Sequence, residues 1–379
     1  MPRHHIASTF KRALTLLLLS IGIPDPARAA DGPSQEELEA RYQEEQRGQL
    51  EAYFDKRLEA SYAERAAAWK RDFSSVAAYE KSIAPWRRRF ADYLGGMNYQ
   101  PACATPREEL IRETDTHVAK RVWVPAFDNV EVCGILLIPK GHLGKRPAVM
   151  CLHGMAGTPE LVCGVVEKSD YHNRFGRQAV EKGYVVFAPV MMNAAPKRNW
   201  LDRKAMMVGE RMQGLEQFKI LRVVDYLAAR DDVAADRIGV YGISWGGRTA
   251  MYAAALDPRI AACVVSGHFM ESTQKMVKPS PHYTAYIEVG ENYAFFSGQA
   301  TEFADADVCS LICPRPVHIE QGRDDKVAYW KIAQEEFQTV QGYYAKLGVG
   351  ERATFEVFEG GHVVAGKEAF TFLARWLKP

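Results

Sequence analysis

Hydrophobic and polar positions divide the chain into an opening part with helical spacing and a longer part in which short apolar runs alternate with helical segments. Over residues 31–94, Tyr53, Leu58, Tyr62, Trp69, Phe73, Tyr79, Trp86, Phe90 and Leu94 recur at helix-compatible intervals in a background rich in Glu, Arg, Lys, Ala and Gln. That spacing predicts two to four amphipathic helices packing on the rest of the chain. Gly95-Gly96 ends the pattern, and Pro101 and Pro106 mark a connector. Residues 117–127 and 130–138 alternate around Asp128-Asn129 and read as a hairpin. Residues 147–152, 184–188, 238–241, 260–266, 314–321 and 353–358 read as further strands. Helical patterns fall at about 170–182, 205–230, from Gly247 onward, 329–347 and 368–377. Residues 189–203 read as an irregular excursion, and 267–307, with Tyr283, Tyr286, Tyr293, Phe295 and Phe296, as a lid or binding loop. Continuous apolar runs suit the buried strands of a parallel sheet, and their alternation with helices predicts a doubly wound α/β domain.

This divides the chain into residues 1–29, 30–115 as a helical extension, and 116–379 as the main domain. The first segment has a basic start (Arg3, Lys11, Arg12), an apolar run over 13–23 and an A-x-A ending at Ala29. These are the parts of a secretory signal peptide, and the run is too short to span a bilayer comfortably. Export to the periplasm or the outside is therefore expected, with no membrane association after cleavage. The net charge of +1 gives no pointer to nucleic acid. The seven cysteines leave an odd thiol if pairs form within the chain, and their pairing is not legible. No P-loop, dinucleotide fingerprint or zinc signature occurs, so neither metal nor cofactor is expected.

The chemistry concentrates at Gly242-Ile243-Ser244-Trp245-Gly246. This is G-x-S-x-G, placed after a predicted strand and before an alanine-rich helix, as a nucleophile elbow requires. A serine needs a base within hydrogen-bond reach and a group that orients that base. Downstream, His362 in a glycine loop is the candidate base, and Asp324-Asp325 offers two candidate acids. Adjacent residues leaving a strand point different ways, so one of the two faces the imidazole. The backbone N–H groups of Trp245 and of Met155, in the His153-Gly154-Met155 loop, are the candidate donors for an oxyanion. Met155, Ser244, Asp324 and His362 each follow a predicted strand, where open α/β sheets bind ligands. Lys197, Arg198, Arg203, Lys204 and Arg211 read as a solvated basic face.

With His153-Gly154, the elbow over 242–247, the run LDPRIAA over 256–262, Pro314-Arg315-Pro316, 324–327 and Gly361-His362, the chain from about Val118 onward resembles the α/β-hydrolase superfamily. It is similar to the branch of dienelactone hydrolases, bacterial acetyl xylan esterases and prolyl-oligopeptidase-type catalytic domains. The resemblance implies an α/β-hydrolase fold, a serine triad without cofactor, and an acid three residues before a valine, which selects Asp324 with Ser244 and His362. It departs from dienelactone hydrolases proper in having Ser244 where they have cysteine. It departs from glucuronoyl esterases in having Trp245 where they have arginine. The segment before Val118 is too short and too helical for the propeller of the peptidases. The expectation is a secreted serine esterase acting on small-molecule or carbohydrate esters. A peptidase or amidase, or a non-catalytic binding protein on this fold, are the alternatives.

Overall fold

The computed structural model describes residues 32–141, 144–192 and 195–378; the expected signal peptide lies outside them. Residues up to Arg57 form one unit and Leu58 onward another, the division falling inside the first helix, α1 (Gln35–Ala68). Up to Arg57 that helix is exposed almost throughout. A second helix, α2 (Val76–Tyr93), starts where the Ser75 hydroxyl accepts the N–H of Ala78, a side-chain N-cap.

Nine strands form one sheet. They are β1 (Arg107–Glu113), β2 (His117–Phe127), β3 (Val130–Pro139), β4 (Arg146–Leu152), β5 (Val185–Pro189), β6 (Val233–Ile243), β7 (Ile260–Ser266), β8 (Val317–Gly322) and β9 (Ala353–Phe358). Their order is β1-β2-β3-β5-β4-β6-β7-β8-β9. The first three pair antiparallel, as does β3 with β5, and β5 through β9 run parallel. Strand β4 shows why the continuous apolar runs are strands. Ala148, Met150 and Leu152 enter one core, and Val149 and Cys151 enter the other. Both faces are covered, so no position needs to be polar.

One face is covered by α6 (Met212–Ala228), α7 (Trp245–Leu256), α10 (Asp305–Ile312) and α11 (Trp330–Lys346). The other is covered by α3 (Pro159–Val162), α4 (Phe175–Glu181) and α12 (Lys367–Leu377). The end of α1 and α2 join the first face. Trp69 stacks on Trp86 at 4.1 Å between ring centroids, and both meet the edge of Phe303. The Trp69 indole N–H donates to the Glu302 carbonyl at 2.9 Å, and the Tyr79 hydroxyl donates to that of Ser310 at 2.7 Å. From Trp69 to Leu94 the apolar spacing is thus core packing, whereas Tyr53, at the start of the pattern, is exposed.

Three expectations change. Strand β1 is a polar, largely exposed edge strand that apolar periodicity does not reveal, and it lies within the part read as a helical extension. The excursion over 189–203 contains most of α5 (Ala195–Met207); Gly209, at φ +78°, follows it before α6 begins. The segment read as a lid carries α8 (Ser272–Val277) and α9 (Gln299–Glu302), and it buries Tyr283, Tyr286, Tyr293 and Phe296. Its aromatics serve as core, in place of the regular elements that a periodicity reading looks for.

Candidate active site

Ser244 stands between β6 and α7 with φ 58° and ψ −123°, a conformation that a non-glycine residue adopts only where its surroundings impose it. Its N–H donates to the Ser266 carbonyl at 2.8 Å, and its carbonyl accepts the Arg248 N–H at 3.0 Å. The turn closes because Gly246 has no side chain: a Cβ there would lie 2.1 Å from the Leu152 carbonyl oxygen. Ser244, Met155, Trp245 and His362 line one cavity of about 280 Å³, formed beyond the carboxyl ends of the parallel strands.

His362 lies on the loop after β9. Its Nδ1 is 2.8 Å from Oδ2 of Asp325, not from Asp324. Asp325 is 3 % exposed. Its Oδ2 also accepts from the Gln321 amide at 2.9 Å, and its Oδ1 accepts the N–H of Val327 at 2.6 Å and of Ala328 at 3.3 Å. Asp324 is exposed, and its backbone N–H bonds the Gly360 carbonyl at 2.8 Å. The expected acid is therefore displaced by one residue. After Gly322 the chain turns, and the carboxylate that folds back onto the N–H groups two and three residues on is the one facing inward. With Nδ1–H donated to Asp325, the imidazole keeps the tautomer whose Nε2 accepts a proton.

The loop that carries Met155 is held by two buried histidines and a tyrosine. His172 Nε2 accepts the Gly154 N–H at 3.0 Å, while its Nδ1 lies 2.9 Å from both Asp170 oxygens. His153 Nδ1 donates to the Gly154 carbonyl at 2.9 Å, and its Nε2 accepts the Met191 N–H at 3.0 Å. Burial pushes His172 down and His153 to about 4, so both rings are neutral acceptors at physiological pH. The Tyr171 hydroxyl donates to the Met155 carbonyl, and its ring lies 5.6 Å from that of His362. The Tyr171 carbonyl accepts the Val364 N–H at 2.9 Å. One segment, 170–172, thereby ties the Met155 loop to the His362 loop. The sequence reading places this segment at the start of a helix over 170–182, whereas the helix begins at Phe175 and 170–172 precede it.

The nucleophile's neighbour is equally fixed. Trp245 packs edge-on against Tyr293 at 5.0 Å, and the Arg198 guanidinium sits 4.5 Å from each ring. Arg198 is buried, paired with Glu216 and donating to the Met192 carbonyl at 2.6 Å. Arg211 pairs with the buried Asp202 at 2.8 Å. These two arginines do not belong to a solvated face, whereas Lys197, Arg203 and Lys204 are exposed as expected. Among the described residues, His318, Glu320 and Glu356 form the group with metal-ligand spacing. Both Glu320 oxygens are already engaged, by the Tyr241 hydroxyl at 2.6 Å and the Gly366 N–H at 3.2 Å.

A mostly parallel sheet with helices on both faces, a serine elbow and a late His–Asp pair define an α/β-hydrolase fold. Within it, residues 132–308 match the Dienelactone hydrolase family. The candidate hydrolase YtaP of Bacillus subtilis (strain 168) is 26 % identical over 282 residues, covering 70 % of this chain and 91 % of its own. The 2,6-dihydropseudooxynicotine hydrolase of Paenarthrobacter nicotinovorans is 32 % identical over 205 residues, covering 53 % of this chain and 50 % of its own. A candidate acetyl xylan esterase of Bacteroides fragilis NCTC 9343 shares the fold at TM-score 0.60 and 16 % identity, over 79 % of this chain and 81 % of its own. So does a glucuronoyl esterase of Caldicellulosiruptor kristjansonii, at TM-score 0.56 and 15 % identity, over 80 % and 87 %. Among the described residues no helix is long and apolar enough to cross a membrane.

Proposed function

We propose that the protein is a serine esterase that cleaves carboxylic esters through an acyl-enzyme. The observation that carries this reading is the 2.8 Å His362–Asp325 bond in a cavity shared with Ser244 on its strained turn. His362 Nε2 takes the Ser244 proton as Oγ attacks the ester carbonyl carbon. The oxyanion so formed meets the N–H groups of Trp245, at the start of α7 where helix N–H groups have no intrahelical partner, and of Met155. Collapse breaks the ester C–O bond, and His362 returns the proton to the leaving alcohol. Water, deprotonated by His362, then attacks the acyl carbonyl and releases the acid. Asp325 keeps the imidazole in register and stabilises its protonated form.

Acetyl or other ester groups on carbohydrates are the proposed substrates, supported by the names of the fold neighbours, and the basic-apolar-A-x-A opening supports export. The test is hydrolysis of p-nitrophenyl acetate by the wild type and Ser244→Ala. A fall in kcat of about 10⁶-fold is expected from removing the nucleophile; equal rates would refute the reading.

A further inference from the structure

Two charged groups in the cavity around Ser244 take no part in these proton transfers, Lys275 and Glu291. Lys275, on α8, is 4 % exposed. Its Nζ donates to the Thr284 carbonyl at 2.7 Å and to that of Val327. An ammonium has three N–H donors, so with two engaged by backbone the third remains for the cavity. Burial pushes Lys275 down to about 8, while Asp325, Glu291 and Asp305 support its charge and Arg248 opposes it. Glu291 is partly buried, and burial raises its carboxyl; Tyr293, Arg248, Lys275 and Arg198 counter that rise. Lys275 and Glu291 line the same cavity as Ser244, and they bring one donor and one acceptor of opposite charge to it.

Such a pair sorts substrates. Neighbouring hydroxyls satisfy both partners at once, one oxygen accepting from Lys275 while the next donates to Glu291. A plain alkyl group desolvates both and replaces neither bond. A carboxylate suits Lys275 but meets Glu291 as a like charge. The cavity, about 280 Å³, is roughly nine times a water's share of liquid volume, room for a single sugar-sized ring. We infer that Lys275 and Glu291 form a recognition subsite that selects esters of neutral, hydroxyl-bearing compounds over alkyl esters and over esters that carry a carboxylate. The inference rests on the esterase reading above.

The test compares kcat/KM for a monoacetylated methyl pentoside, ethyl acetate and monoethyl succinate. In the wild type the pentoside ester is preferred over both others by about 10-fold or more, because the subsite is built to hydrogen-bond hydroxyls. Lys275→Met and Glu291→Gln each reduce the pentoside-to-ethyl-acetate ratio by about 10-fold, mainly through KM. Glu291→Gln also raises the relative rate on monoethyl succinate, since the like charge is gone. Glu291→Gln keeps the side-chain shape, so the prediction stands even if Lys275→Met does not fold. An unchanged ratio in a folded Glu291→Gln, or a wild type that prefers ethyl acetate or monoethyl succinate, overturns the inference while leaving the esterase reading intact. A wild type inactive on all three and on p-nitrophenyl acetate overturns both.

Discussion

The substitution that separates the two neighbouring aspartates is Asp325→Asn set against Asp324→Asn. Four donors converge on the Asp325 carboxylate: the His362 Nδ1–H, the Gln321 amide and the N–H groups of Val327 and Ala328. A carboxylate accepts from all of them; a carboxamide has only one acceptor atom. If its oxygen faces His362, its NH₂ opposes the Val327 N–H, which lies 2.6 Å from the present oxygen. If its NH₂ faces His362, the imidazole must present a bare Nδ1, which moves the proton to Nε2 and leaves no base for Ser244. The first orientation keeps the tautomer but sets two donors against each other, and the second loses the tautomer, so neither reproduces the support the carboxylate gives. The comparable aspartate-to-asparagine change in a serine triad lowers kcat about 10⁴-fold, which is about 5.4 kcal/mol of barrier. Asp324→Asn alters an exposed side chain whose residue is tied in through its backbone N–H, so kcat is expected within about 2-fold of wild type. The assay is kcat on p-nitrophenyl acetate between pH 6 and 9, with a melting curve for each variant. A folded Asp324→Asn that loses 10³-fold or more, beside an Asp325→Asn that retains activity, would refute the assignment.

Two further outcomes follow from the surroundings of the same site. Gly267→Ala places a Cβ about 3.0 Å from His362 Cε1 and 3.3 Å from Asp325 Oδ2, at a φ of +57°, so it should displace the imidazole and lower kcat by about 10-fold or more; steady-state kinetics with unchanged values for the variant would contradict this. His153, held neutral with its pKa at about 4 against 6.5 for a free histidine, contributes stability that is complete above about pH 6.5 and is lost as pH falls toward 4. That loss is about 3 kcal/mol for this group, and the stability difference between pH 7 and pH 4 in denaturant titrations should be smaller in His153→Asn than in the wild type by about that amount.

What could be read from the chain, and what could not, divides by the range of the interactions involved. The elbow is a local object: strand, serine and helix are contiguous, and Gly246 is required by a backbone carbonyl that any such crossing brings near, so the motif and its context were visible together. His362 was legible because it is a histidine after the last strand, a position set by topology. The choice between Asp324 and Asp325 turned on one peptide's rotation after β8. There a family spacing counted from Val327 pointed one residue too early, while the capping of the Val327 and Ala328 N–H groups by Asp325 was a local signal of equal weight. Arg198 escapes a reading by charge runs because such runs are judged by neighbours in sequence, and its partner Glu216 lies eighteen residues on, across a break between two helices. The Asp170–His172 brace and the Lys275 ammonium belong to the same class. Each is a buried polar group satisfied by distant backbone: the Gly154 N–H in one case, the Thr284 and Val327 carbonyls in the other. Burial makes an unpaired polar group costly, so such groups persist where a fold has a use for them. Nothing in periodicity marks them, because their spacing follows from the sheet order and not from the pitch of a helix or the pleat of a strand. The elbow and the histidine of the candidate site are therefore readable from short-range pattern, whereas the contacts proposed to select substrate exist only once β6, α8 and the loop after β8 have come together.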